Sequence, residues 1–407
     1  MKIIADFHIH SKYSRAVSSK MNLEELSEQG EIKGIDIIGT GDFTHPLWFS
    51  ELQNKLVIDS SSFYKLKELK NSIRFIITGE VSLIYFKKGK VRKIHLILIC
   101  PTLDIAKKIN HKLSENYNLK SDGRPILGLD AKEFLKVILD ISKDVLVIPA
   151  HIMTPWFGLY GSKSGFDSAQ ECFEDLSDYI YAYETGLSAN PSMLLKMKEC
   201  RDRTLLSNSD AHSLEKIGRE ANVFETDFDY NCIVKNIKEN KILETIEFYP
   251  EEGKYFNDGH RKCDINFSPE ETYKYNGICP VCGKPLVIGV LSRVNQLSDL
   301  KEAPDYKFRS IVPLKEIIAE ILNVGSLSKA VNKDYTKLIK EFKSEFNILL
   351  YEDVQNIQKV NKMVAFAVKK MRAGDIHITP GYDGEFGKVK IFQGEEKEKR
   401  FLQQPLF

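Results

Sequence analysis

The chain has 407 residues, of which 43% are hydrophobic and 28% charged, and its formal net charge is +1. That length suggests about two or three domains, and the composition excludes a disordered or fibrous chain. The longest apolar stretches, IHLILIC at 94–100 and VLVIPA at 145–150, fall short of the roughly 18 residues of a membrane span, and MKIIADFHIHS has no export signal, so a cytoplasmic protein is expected.

The 9 histidines and 7 cysteines are far from randomly placed. IIADFHIH opens the chain and ends in His8 and His10. A helix-like segment at 22–30 precedes IDIIGTGD, which ends in Asp42, with His45 three residues on. After a helix-like segment at 59–70 come FIITGE, ending in Glu80, and IHLILI, carrying His95. Helix-like segments at 102–115 and 130–141 lead to VLVIPAH and His151. A last one at 191–201 precedes TLLSNSDAH, which supplies Asp210 and His212. Glu184 is a further strand-end acid that a salt bridge explains equally well, and His111 and His377 lie in polar or loop contexts.

Strands alternating with helices predict parallel strands with crossover helices, whose C-terminal ends share one face. A single histidine there is best read as a core residue; six, with three acids interleaved, predict a metal site. Imidazoles and carboxylates without thiolates suit zinc, manganese or iron over calcium or magnesium alone. Adjacent ions bridged by a carboxylate are the arrangement that hydrolyses phosphate esters.

Cys100, Cys172, Cys200 and Cys232 stand alone, as buried thiols do. His260, Cys263, Cys279 and Cys282 follow the pattern H-x2-C-x15-C-x2-C, which predicts one structural zinc in a module near 255–290. Asp258 or a water is the alternative to His260. The aromatic, glycine-rich segment 154–166 follows His151 directly, so Trp156, Phe157 and Tyr160 can overhang the metals and bound a pocket for an extruded base, unless they anchor the loop in the core. Between 328 and 346, Lys329, Lys333, Lys337, Lys340 and Lys343 share one helical face, opposite Ala330, Val331, Tyr335, Leu338, Ile339, Phe342 and Phe346. This face suits a phosphate backbone or ordinary solvation, and HRK at 260–262 with Lys284 adds charge at the zinc module. Helices are expected near 313–323, 327–346 and 351–372, followed by a hairpin in ITPGYDGEFGKVKIF.

H-x-H at 8–10, Asp42, Glu80, His95, His151 and D-x-H at 210–212 resemble the PHP (polymerase and histidinol phosphatase) superfamily. The resemblance implies an α/β fold with a PHP-type distorted (β/α)7 barrel, placed at 1–250; the small zinc-binding module is then expected at 251–295 and a mainly helical, DNA-contacting C-terminal domain at 296–407. It implies one ion on His8, His10, Glu80 and Asp210, and a second on Glu80, His95 and His151, with Glu80 bridging. A third site is weakened, because Phe43 follows Asp42 and Arg15 stands where an acid or histidine is common. Asp42, His212 and His45 remain for it. The ions are two or three divalent metals (Zn, Mn, Fe or Mg). Asp42 and Asp210 are the expected catalytic residues, as metal-site carboxylates that can also take the water proton.

GTGDFTHPLWFSEL at 39–52, HIMTPWFGLYGSKSGFDS at 151–168, ETGLSANPS at 184–192 and the segment from DGHRKC to ICPVCGKPL at 258–286 together resemble the endonuclease Q family. That implies a DNA repair endonuclease cutting 5′ of uracil, hypoxanthine, xanthine and abasic sites in double-stranded DNA, leaving 3′-hydroxyl and 5′-phosphate ends, and associated with the nucleoid through DNA. Three alternatives stand beside it: a histidinol-phosphatase-type small-molecule phosphatase, a 3′–5′ exonuclease, and a non-enzymatic DNA-binding module. The final residues, Gln403–Phe407, resemble the short peptide that docks on the bacterial sliding clamp.

Overall fold

The structure is a computed structural model that describes residues 1–69 and 71–393. Its centre is a sheet of mixed parallel and antiparallel strands in an α/β fold. The apolar strand Lys2–Asp6 runs parallel to Ile37–Gly39, with Ala5 opposite Ile37, and Ile37–Gly39 runs parallel to Arg74–Lys87. Helix Leu23–Lys33 makes the first crossover; Asn22 caps it by accepting from Glu25 N. The outer strands depart from the all-parallel expectation. Arg74–Lys87 and Lys90–Cys100 form one long antiparallel hairpin, and Leu146–Pro149 adds antiparallel to the second of them. On the other side, Ala221–Glu225 pairs antiparallel with both Lys2–Asp6 and Glu244–Glu247.

Ala182–Glu184 and Thr204–Leu206 form a separate parallel pair. Side chains stitch it to the central sheet. Asn222 donates to Ser207 O and to Ala5 O, and Asn208 Oδ1 accepts from Phe7 N. Glu184 accepts from His151 N. Polar groups left open where two sheets part are thus satisfied by buried amides and a carboxylate.

Three local expectations are corrected. Residues 59–69 are not helical: Leu56–Ile58 and Tyr64–Leu66 pair as a hairpin. Asp59 takes Ser61 N, Ser61 Oγ and the Arg74 guanidinium, and such side-chain turns compete with helix. The 191–201 helix divides into Pro191–Leu194 and Lys198–Arg201. The 351–372 helix breaks at Asn361 into Val354–Val360 and Lys362–Arg372, because the Asn361 side chain caps the second piece through Met363 N and Val364 N.

Strand Phe308–Ser310 pairs parallel with Glu244–Glu247 and so brings the C-terminal helices onto the sheet. Buried Glu345 locks them there. It binds Lys33 Nζ of the first helix at 2.7 Å, Tyr335 Oη at 2.7 Å and Leu314 N at 3.0 Å. Removing one partner of a buried ion pair leaves an uncompensated charge, so Glu345→Ala is expected to cost about 3–5 kcal/mol, read by urea denaturation. Helix Lys329–Phe342 carries exposed Lys329, Lys333, Lys337 and Lys340 opposite buried Val331, Tyr335, Leu338 and Phe342. Ala330 is exposed rather than opposite the stripe, and Lys343 lies just past the helix with φ 71°. Segments His377–Thr379 and Lys388–Lys390 form the expected hairpin. No helix among the described residues is long and apolar enough to cross a membrane. The segment Gln403–Phe407 lies outside the described residues.

Candidate active site

Two groups of potential ligand atoms meet beside the central sheet: His8, His10 and Asp210 in one, Glu80, His95 and His151 in the other. His8 and His10 follow the first strand, His151 follows Leu146–Pro149, and Asp210 follows Thr204–Leu206. Glu80 and His95 are placed differently from expectation. They sit mid-strand in the long hairpin, where Glu80 faces Ile97 and His95 faces Ser82, because both strands run on past the site.

Hydrogen bonds on the far ring nitrogens aim the imidazoles. His8 Nδ1 donates to Glu184 Oε1 at 3.0 Å and His10 Nδ1 donates to Asp42 Oδ1 at 2.9 Å. His151 Nδ1 donates to Thr154 Oγ1, whose hydroxyl donates to the His151 carbonyl. Each near nitrogen therefore presents a lone pair to a carboxylate. His10 Nε2 is 3.1 Å from Asp210 Oδ1 and 3.3 Å from Glu80 Oε2; His8 Nε2 is 3.5 Å from Glu80 Oε2. The other Glu80 oxygen, Oε1, lies 2.8 Å from His95 Nδ1 and 3.2 Å from His151 Nε2. One carboxylate spans both groups.

Acceptors facing acceptors need a proton or a cation between them. His8 Nε2, His10 Nε2 and Asp210 Oδ1 are buried without a hydrogen-bond partner. Burial pulls His8 and His10 down, yet the facing carboxylates outweigh it and hold both well above the ordinary imidazole value. At His95 burial wins, and its pKa falls to about 4. Burial pushes Glu80 up, but His95, Arg124 and His8 together carry it well below the carboxylate range. This donor set fits divalent metal ions.

The backbone is held in an unusual shape to achieve this. Asp42, His151 and Asp210 have φ of 48°, 32° and 46°. Left-handed backbone at non-glycine residues costs about 1–2 kcal/mol each, which the surroundings must hold in place. Gly186 helps: a Cβ there would lie 2.4 Å from His151 Cβ.

The structure places Asp42 behind the ligands rather than among them. Its Oδ1 is taken by His10, and its Oδ2 by Ser11 N, Ser11 Oγ and Ser14 Oγ at 2.6–2.8 Å. It is fully buried and has no oxygen left to bind a metal or reach a substrate. Asp42→Ala is therefore expected to loosen His10 and weaken metal affinity about 10- to 100-fold, measured by metal titration. His212 stays outside both groups: its Nδ1 donates to the Asp210 carbonyl at 2.9 Å and its ring lies 4.6 Å from that of His10. His45 stacks on Tyr13 at 4.6 Å and also lies outside them. Glu184 holds His8, His151 N and Asn208 together, a role its strand-end position hinted at but did not reveal. Arg124, 3.1 Å from Glu80 Oε2, carried no sequence signal.

The overhanging aromatics divide. Trp156 is 50% exposed, and the Phe157 ring lies tilted against His95 with centroids 4.3 Å apart. Tyr160 is fully buried and its hydroxyl donates to Glu199, so it anchors the loop and is corrected from a DNA contact to a core residue. A cavity of about 210 Å³ lies beside this loop, lined by Thr154, Pro155, Leu187, Tyr255, Phe256 and Val290.

His260, Cys263, Cys279 and Cys282 form a third group. Asp258 does not compete with His260, since its oxygens accept from Gly289 N and Ser292 Oγ at 2.6 Å.

The MJ0043 C-terminal domain family matches residues 313–375. The Bacillus subtilis protein YqxK is 31% identical, over 96% of this chain and 99% of its own length. MJ0043 of Methanocaldococcus jannaschii is 38% identical over 58% of this chain, and that match spans only 31% of its own length. The lesion-specific endonuclease PfuEndoQ of Pyrococcus furiosus superposes with a TM-score of 0.86 at 32% identity, over 100% of this chain and 98% of its own. Endonuclease Q in complex with a 27-mer duplex substrate, with an abasic lesion at its active site, gives 0.84 at 32% identity, over 100% and 99%. The mixed α/β fold is that of a nuclease enzyme, and it carries the two groups of candidate metal ligands. The chain belongs to the endonuclease Q family.

Proposed function

We propose that this protein is a metal-dependent DNA repair endonuclease that cuts duplex DNA 5′ of deaminated bases (uracil, hypoxanthine, xanthine) and of abasic sites. The observation that carries this reading is the pair of buried ligand groups spanned by Glu80, with unpartnered lone pairs converging between them. His8, His10, Glu80 and Asp210 would hold one ion, and Glu80, His95 and His151 a second. Divalent ions there supply an activated water and stabilise the charge of an in-line displacement. A third ion finds little support, because Asp42 and His212 are turned to other partners.

The chain's own residues do the positioning. Asp42 and Glu184 fix the His10 and His8 rings from behind. Asp210, whose side chain is 25% exposed, is the carboxylate open to an attacking water and accepts its proton. The water oxygen bonds to phosphorus as the P–O3′ bond breaks; O3′ takes up a proton, leaving 3′-hydroxyl and 5′-phosphate ends.

The cavity beside His151 suits the damaged nucleotide. Thr154 lines it and also holds the His151 ring, which ties the pocket to the metal site. Half-exposed Trp156, with Lys93 Nζ 5.3 Å from its ring centre, offers a face to stack on a neighbouring base. Lys329, Lys333, Lys337 and Lys340 would follow the phosphate backbone. We take residues 1–250 as a PHP-type barrel, 251–295 as a module closed by one structural zinc on His260, Cys263, Cys279 and Cys282, and 296–407 as a DNA-contacting domain, with strand Phe308–Ser310 joining the last to the first.

The test is incubation with Mg²⁺ or Mn²⁺ and labelled duplexes carrying one uracil, hypoxanthine or abasic site. A single nick 5′ of the lesion is the expected product. Laddering from an end would make it an exonuclease, and intact duplex would favour a small-molecule phosphatase or a binding module.

A further inference from the structure

We propose that Arg124 is a catalytic residue that holds a non-bridging oxygen of the scissile phosphate; the inference rests on the nuclease reading above. Among the described residues, Arg124 is the one Lys or Arg side chain that reaches a carboxylate of either ligand group, with Nη1 3.1 Å from Glu80 Oε2. Its side chain is 29% exposed while Glu80 is fully buried, so the guanidinium stands between that carboxylate and solvent. A phosphodiester approaching Glu80 and Asp210 meets two ionised carboxylates. At Glu80 this guanidinium supplies the protein's own countercharge on that approach.

The loop that carries Arg124 is docked on the segments that follow His10 and Asp42. Asp122 Oδ1 accepts from both Arg124 N and Arg15 N, and Gly123 N donates to Tyr13 O at 3.1 Å. A Cβ on Gly123 would fall 2.3 Å from Asp42 Oδ2 and from Ser14 Oγ, so the loop lies directly against the group that aims His10. Arg124 spends one N–H on Glu80 and keeps four for a ligand. A planar fork of donors matches a phosphoryl group gathering charge in the transition state, and such donors act most strongly where they are already in position.

Single-turnover nicking of a duplex with one abasic site, in Mn²⁺, tests this on the full chain. Arg124→Ala is expected to slow the step about 100- to 1,000-fold, with bound metal per chain and duplex affinity unchanged. Added guanidinium ion should restore part of the lost rate, and Arg124→Lys, a point charge in place of a fork, should recover only a fraction. A wild-type rate in either variant overturns the inference. So does a loss of metal that accounts for the loss of rate, or a failure of guanidinium to rescue a folded Arg124→Ala protein, because Arg124 would then serve only to steady Glu80. Wild-type protein that leaves the duplex intact overturns the nuclease reading together with this one.

Discussion

Replacing Asp210 by alanine is expected to abolish lesion-dependent nicking, with a loss exceeding about 100-fold, while the protein keeps its fold. Loss of a mere supporting partner costs about 10- to 100-fold in metal affinity or activity, and Asp210 stands nearer the chemistry than that. Its Oδ1 faces the Nε2 atoms of His10 at 3.1 Å and His8 at 3.7 Å and has no hydrogen-bond partner of its own. The fold does not depend on that carboxylate. Its backbone carbonyl accepts from His212 and Arg219, and these contacts survive the substitution. His8 and His10 keep Glu184 and Asp42. The φ of 46° adds a strain that asparagine tolerates better than alanine, so Asp210→Asn is the companion variant. Nicking rate, metal per chain and thermal melting would be read together. A folded variant that nicks at the wild-type rate would sink the assignment.

Cys279→Ala is expected to remove one zinc per chain, open the 255–290 segment to proteolysis and weaken duplex binding more than it slows the chemical step. Cys279 is the buried member of its group, at 1% exposed, whereas Cys282 lies at the surface. Few other apolar side chains are buried here: Phe256, Leu286, Val290 and Val294. A small module with so little core depends on its metal, and structural zinc contributes about 10–16 kcal/mol of binding free energy that acts as folding free energy. Helix Val290–Leu297 should persist, since Arg293 donates to the carbonyls of Tyr160 and Phe166 on the main body. Metals held by Glu80 and its neighbours should be retained. Equal loss of both metal populations would argue against two independent sites.

Much of this was legible before the structure. Ligand chemistry is local: H-x-H, D-x-H, H-x2-C and C-x2-C motifs carry their donor types in a few residues, and short apolar runs mark strands, though not where the long hairpin strands of Glu80 and His95 end. The lysine face of Lys329–Phe342 followed from helical period alone, apart from Ala330 and from Lys343, which lies past the helix end. The helix expected at 59–70 is absent over 59–69 because Asp59 found the Ser61 hydroxyl and Arg74 as partners, a competition that period does not register.

The near-neutral charge, the two kinds of metal-ligand set and their order along the chain were determined by the sequence itself, since each depends only on which residues are present and how they are spaced. Which carboxylate faces the ligand cluster and which stands behind it was decided only by the tertiary structure. Asp42 and Asp210 look alike in sequence, each following an apolar run with one histidine two or three residues on. Asp42 is used up by two serines and His10, while Asp210 keeps an oxygen free. Tyr160 and Trp156, four residues apart, part in the same way, one sealed in the core and one half in solvent. Arg124 reaches Glu80 across 44 residues of chain. Partnership and burial belong to the packed molecule, because a hydrogen bond or a desolvated face exists only once distant segments have met.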